Sequence, residues 1–127
     1  MKIAIIGTGR VAAALGKGWA ARGHMITFAS REPRGEKALA LLDAAGPNAS
    51  AALVRDAVAR SSIIILAIPF AAVADTLTQA GDLSGKVLVD CTNPIAPGLR
   101  PLFDSSTSGA EQIAGWVPNA RVIKAFN

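Results

Sequence analysis

Two stretches of this chain, residues 3–6 and 63–68, contain no polar side chain at all. An extended segment points successive side chains to opposite faces, so a strand with one wet face alternates polar and apolar residues. Ile3-Ala4-Ile5-Ile6 and Ile63-Ile64-Ile65-Leu66-Ala67-Ile68 do not alternate. As strands, both must be buried on two faces, which is the habit of parallel strands joined by helices. Their β-branched side chains, stiff at χ1, favour the extended form.

The same rhythm continues along the chain. Residues 26–29 read as a second strand, 51–54 as a short third, 86–89 as a fifth and 122–126 as a sixth. Between them, alanine-rich segments predict helices over 10–22, 35–45, 56–60, 71–80 and 110–116, with stops at Gly46-Pro47, Gly81 and Pro118. The alternation predicts an α/β fold: a doubly wound parallel sheet of six strands in the order 3-2-1-4-5-6. Its ligand crevice is expected at the carboxyl ends of strands 1 and 4. A length of 127 residues favours one domain over 1–127.

Composition narrows the partners. The thirteen Lys and Arg, with a net charge of +4, are scattered rather than gathered into a run, so no nucleic-acid partner is expected. No apolar run approaches the roughly 20 residues of a membrane span. One cysteine and an N-terminus without a leader pattern fit a cytoplasmic protein. No cluster of metal-ligating side chains is visible.

Strand 1 runs into Gly7-Thr8-Gly9-Arg10-Val11-Ala12, a G-x-G-x-x-A pattern between a strand and a helix. In this context the pattern marks a Rossmann dinucleotide-binding domain. Gly7 permits the turn out of the strand. Gly9 lets a pyrophosphate approach the backbone. Ala12, with Gly16, keeps the helix close to the sheet. Gly7, Thr8, Gly9, Arg10 and Val11 are therefore the candidate phosphate cradle, with free helical N–H groups facing the anion. Arg10 either pairs with a phosphate or points into solvent.

The end of strand 2 selects the dinucleotide. NAD and FAD binders usually place a carboxylate there for the ribose hydroxyls, and this chain has Ser30-Arg31. A hydroxyl and a guanidinium suit a 2′-phosphate instead, which points to NADP(H). Arg34 and Lys37 lie near enough in sequence to add charge. After strand 4, Ile68 and Pro69 should border the nicotinamide ribose, with Phe70 either a wall for the ring or ordinary core. After strand 5, Asn93-Pro94 should reach the nicotinamide end. Cys91 lacks a histidine partner, since His24 opens strand 2 at the opposite edge, so a structural cysteine is expected. Trp19 follows Val11 and Leu15 at helical spacing and reads as packing.

Taken together, Gly7-Thr8-Gly9, Ser30-Arg31, residues 63–69, Asp90-Cys91-Thr92-Asn93-Pro94 and Lys124-Ala125-Phe126-Asn127 resemble the coenzyme F420-dependent NADP oxidoreductases. The resemblance covers essentially the whole chain. It implies that the loop and the Ser-Arg pair hold NADP and that residues after strands 4, 5 and 6 line the nicotinamide pocket. It also implies hydride transfer between NADP(H) and the deazaflavin F420, usually in a homodimer. The chain departs from the family in Arg10, where an Asn or small residue is common, and in Ala12, often glycine. Family members also continue past the Phe-Asn motif into a segment, absent from these 127 residues, that completes the second-substrate site. Two readings follow: an oxidoreductase domain acting on a small-molecule redox substrate, or an NADP(H)-binding or sensing module without catalysis.

Overall fold

The computed structural model describes residues 1–96, 98–104 and 106–126. β1 (Lys2–Ile6) leads into α1 (Arg10–Ala20), then β2 (Met25–Ala29), α2 (Glu36–Ala45) and β3 (Ala49–Ala52). α3 (Val54–Ala59) and β4 (Ile63–Leu66) follow. A short 3-10 turn (Phe70–Ala72) then opens α4 (Val73–Ala80), which precedes β5 (Val87–Asp90). A small antiparallel hairpin of β6 (Ile95–Ala96) and β7 (Arg100–Pro101) precedes α5 (Gly109–Trp116) and β8 (Arg121–Lys124). The main sheet has six parallel strands in the order β3-β2-β1-β4-β5-β8, the predicted topology with β8 as its sixth strand.

The two unalternating runs are buried on both faces, as their composition requires. Ala4, Ile6, Ile64, Leu66 and Leu88 pack under α3, α4 and α5 through Val58, Val73, Leu77 and Ile113. Ile3, Ile5, Phe28 and Ile65 face α1 and α2 through Ala12, Ala20 and Leu41. Each fully buried Ile, Leu or Phe side chain contributes about 1.5–3 kcal/mol, so the central strands hold most of the hydrophobic stabilisation.

Several boundaries differ from expectation by one or two residues. The third strand starts and ends two residues early because Val54 turns inward as the first residue of α3. Its entry is fixed by Asn48, whose amide donates to the carbonyl of Ala20 at 3.1 Å. β4 stops at Leu66, two residues short of the apolar run, since Ala67 and Ile68 already belong to the loop that leaves the sheet. The sixth strand stops at Lys124, and Phe126 has left the extended region at φ 60° to set its ring edge-on to Trp19, 6.1 Å away. That contact confirms Trp19 as a packing residue.

α1 lies close to the sheet because Gly16 faces the Phe28 ring, and a Cβ there would overlap Cζ and sit 2.6 Å from Cε1. Phe28 is fully buried and has nowhere to move. Gly16→Ala should therefore lower stability by about 1–3 kcal/mol through overpacking, despite the better helix former. Gly18 is on the same helix, but a Cβ there meets nothing within 4 Å. Gly18→Ala should raise stability by about 0.5–1 kcal/mol. Urea unfolding of the two variants checks the packing, and shifts in the same direction would contradict it.

Candidate dinucleotide-binding site

Strand register builds the site. Ala52, Ala29, Ile6, Leu66, Asp90 and Lys124 stand in one row across all six strands. One residue further on, backbone bonds still hold the row: Ser30 N–H donates to Ala52 at 3.0 Å, Ala67 N–H to Ile6 at 2.9 Å and Cys91 N–H to Leu66 at 3.0 Å. The loops after β1, β2, β4 and β5 thus leave the sheet side by side. This brings the cradle, the Ser30 segment, Ile68-Pro69 and Asn93-Pro94 to one edge.

Gly7 occupies the tightest point. It is buried at φ +134°, and a Cβ would overlap the Ala67 carbonyl oxygen and lie 3.4 Å from Cγ2 of Ile68. Only glycine meets both demands. Thr8 is half-buried. Gly9 caps α1 with extended backbone, is exposed, and has open space where a Cβ would be. No side chain caps this helix, so first-turn N–H groups face the mouth of the crevice without a protein acceptor. Arg10 and Val11 are exposed beside them.

At the end of β2, the Ser30 hydroxyl oxygen accepts from the Glu32 N–H at 3.0 Å, which leaves its own proton to donate. Arg31, Arg34 and Lys37 are exposed, and among the described residues none is paired with a carboxylate. A cradle open above Gly9, uncapped helical donors and uncommitted cations together fit a dinucleotide carrying an extra phosphate.

On the other side, Pro69 and Asn93 are exposed and Ile68 and Pro94 half-buried. Phe70 joins an aromatic group, edge-on to Phe103 at 5.5 Å and tilted on Trp116 at 6.1 Å. Gly109, the first residue of α5, fits between Phe70 and Pro94, each 3.1 Å from where its Cβ would stand. This group gives Trp116 a place that its sequence neighbours do not suggest. Asn127 of the quoted motif lies outside the described residues.

Sequence reasoning missed one cluster. Asp90 is fully buried, Thr92 nearly so, and the Lys124 side chain, 31% exposed, reaches Asp90 Oδ2 at 3.3 Å. The available signal was a carboxylate closing an apolar strand, Val87-Leu88-Val89-Asp90, with a lysine closing the next.

Elsewhere, the N-terminal amine lies 3.1 Å from His24 Nδ1 at the amino edge, away from the crevice. A hollow at that same edge is lined by Lys2, Ser61 and Lys86, and of its two lysines Lys86 is committed, its Nζ donating to the Ser61 carbonyl at 2.6 Å. No group of three or more metal-ligating side chains occurs among the described residues, and no helix there is long and apolar enough to cross a membrane.

Residues 2–94 match the family described as NADP oxidoreductase, coenzyme F420-dependent. The chain belongs to this family. It is 31% identical, over its whole length and with a TM-score of 0.87, to a protein from Arthrobacter sp. FB24 assigned provisionally as an F420-dependent NADP reductase. A reductive aminase from Aspergillus terreus, solved with NADPH and ethyl-5-oxohexanoate, is 26% identical over 97% of the chain with a TM-score of 0.74. Metalloreductase STEAP3 from Rattus norvegicus is 28% identical over 99% of the chain. The chain spans 63% of the Arthrobacter protein, 39% of the aminase and 24% of STEAP3. The NADP oxidoreductase family and the NADPH-bound aminase share this frame, and the candidate cradle, residues 7–11, falls within the matched span.

Cys91 sits beside the crevice but is poorly suited to nucleophilic work. Burial, and secondarily the Asp90 carboxylate, push its thiol above the ordinary range, while Lys124 pulls weakly the other way. Less thiolate is present at any pH below the raised value. Iodoacetamide should therefore modify Cys91 far more slowly at pH 8 than it does a free thiol, with full reactivity in denaturant. Equal rates in the folded and unfolded chain would contradict this burial.

Proposed function

We propose that this chain is the NADP(H)-binding portion of an oxidoreductase that moves hydride between NADP(H) and a deazaflavin such as F420 or a similar small-molecule acceptor. The observation that carries the reading is the end of β2, where Ser30 and Arg31 have no carboxylate partner among the described residues and stand beside an open, uncapped helix start. In this reading Gly7, Thr8, Gly9, Arg10 and Val11 hold the pyrophosphate through backbone amides and the helix terminus. Ser30, Arg31 and Arg34 hold the 2′-phosphate. Ile68, Pro69, Phe70, Asn93 and Pro94 border the nicotinamide half. The cofactor supplies the hydride chemistry, and the protein supplies placement and the exclusion of water.

The NADPH complex of the aminase supports the choice of cofactor by likeness of frame. F420 rests on the family and on the Arthrobacter relative. A homodimer is part of the same reading: β8 pairs on one side only, Ile123 is 49% exposed, and an open strand edge of this kind is commonly covered. Light scattering should report two copies, and a clean monomer at working concentration would remove that element.

Arg31→Ala should weaken NADPH binding about 10- to 100-fold, the worth of one charge-assisted hydrogen bond, and leave NADH almost unchanged. Calorimetric titration checks it, and equal losses for both cofactors would refute the role of Arg31. NADPH oxidation in the presence of F420 tests the acceptor. Tight binding without turnover under any acceptor would leave a binding module and remove the hydride-transfer step.

A further inference from the structure

The nucleotide reading leaves the buried charge in this sheet unused. Asp90 has no exposed surface, and both its carboxylate oxygens are committed. Oδ1 accepts from the N–H of Thr92 at 2.8 Å and from its hydroxyl at 2.6 Å. Oδ2 pairs with Lys124 Nζ, which in turn donates to the Thr92 carbonyl. One ion pair therefore holds every polar group of Thr92: N–H, O–H and C=O.

Stability alone gives little reason for such an arrangement. A buried ion pair is often no better for folding than two well-packed apolar side chains of similar size. A Leu–Ile pair joining β5 to β8 would serve the sheet equally well. What an apolar pair cannot do is orient the peptide planes on both sides of Thr92. Those planes set the start of Asn93, whose own carbonyl accepts from Ile95 N–H at 2.9 Å and so fixes its far side. Asn93 itself is exposed at the crevice edge, with hydrogen-bonded backbone before and after.

We propose that Lys124 and Asp90 are positioning residues that clamp Thr92 so that the Asn93-Pro94 turn is preformed for the nicotinamide half of the dinucleotide. The inference rests on the reading under Proposed function and deepens it. The clamp lies at the β5–β8 end of the strand row, whereas Ser30 and Arg31 lie at the β2 end, with β1 and β4 between. Its charge therefore affects one half of the ligand and spares the other.

The full 127-residue chain is titrated with NADPH and, separately, with 2′,5′-ADP, which carries the extra phosphate and no nicotinamide. NADPH emission reports the surroundings of the nicotinamide ring. Lys124→Met keeps the apolar stem and removes the charge. It should lose about tenfold in NADPH affinity, the scale of one hydrogen bond, with 2′,5′-ADP within about twofold of wild type. Most of the emission change on binding should vanish with it. Lys124→Arg, which keeps a donor and the charge, should recover much of both. Thr92→Val, nearly isosteric, should show the same ligand selectivity at smaller size, and it decides the matter if Lys124→Met does not fold.

Wild-type NADPH affinity and emission in Lys124→Met would overturn the clamp. So would losses of the same size for both ligands, because a merely structural role predicts them. A wild-type chain that binds neither ligand overturns the proposed function first and the clamp with it. Binding of 2′,5′-ADP that is lost in Arg31→Ala but kept in Lys124→Met separates the two failures.

Discussion

The backbone of Gly7 runs so close to the carbonyl of Ala67 that no side chain fits between them. This approach closes β1 onto the outgoing end of β4, and the rest of the site takes its position from it. The turn at Gly7 aims α1 back along the sheet, and Gly16 then lets the helix settle onto the Phe28 ring. A helix held this low places its uncapped N-terminus at the height of the strand ends rather than above them. A larger residue at either glycine would lift α1, and the proposed anion cradle would move away from the segments that border it.

Charge is used differently at the two ends of the strand row. At the β2 end the cations are exposed and unpaired among the described residues, so little reorganisation stands between them and an incoming phosphate. At the β5–β8 end the charges are paired, buried or half-buried, and turned toward the protein's own backbone. Exposed cations bind an anion directly, and their attraction weakens as salt screens it. A buried pair is screened far less and acts through geometry. In the proposed reading, the crevice thus couples a salt-sensitive recognition end to one held by internal pairing.

Much of this was readable from the residues because the deciding signals are local. Unbroken apolar runs imply burial on two faces, and a G-x-G-x-x-A turn after the first of them implies a helix start aimed at a phosphate. Those rules gave the strand order and placed the glycine turn at the start of α1. Boundaries were less legible where a β-branched residue served another element: Val54 reads as strand in isolation but opens α3, since its side chain is needed under the sheet. The β6–β7 hairpin went unnoticed because two-residue strands carry no periodicity. The Asp90–Lys124 pair was missed for a different reason. Its partners are 34 residues apart, and only the register of β5 on β8 sets them opposite each other.

The comparisons join proteins named for quite different chemistry, a metalloreductase, a reductive aminase and an F420-dependent reductase, on one frame. The family and the aminase have a nicotinamide dinucleotide in common, and a frame shared this widely says little about the acceptor. The geometry agrees with that division. Features that depend on backbone approach and strand register, Gly7 against Ala67 and the row of strand ends from Ala52 to Asp90, lie inside the span matched by the family. Beyond residue 94 come the hairpin, the Phe103 and Trp116 rings and β8, which reaches back through Lys124 to fix Thr92. The last strand therefore does more than widen the sheet. It is the element through which residues beyond 94 hold the Asn93-Pro94 turn, which in the proposed reading borders the nicotinamide.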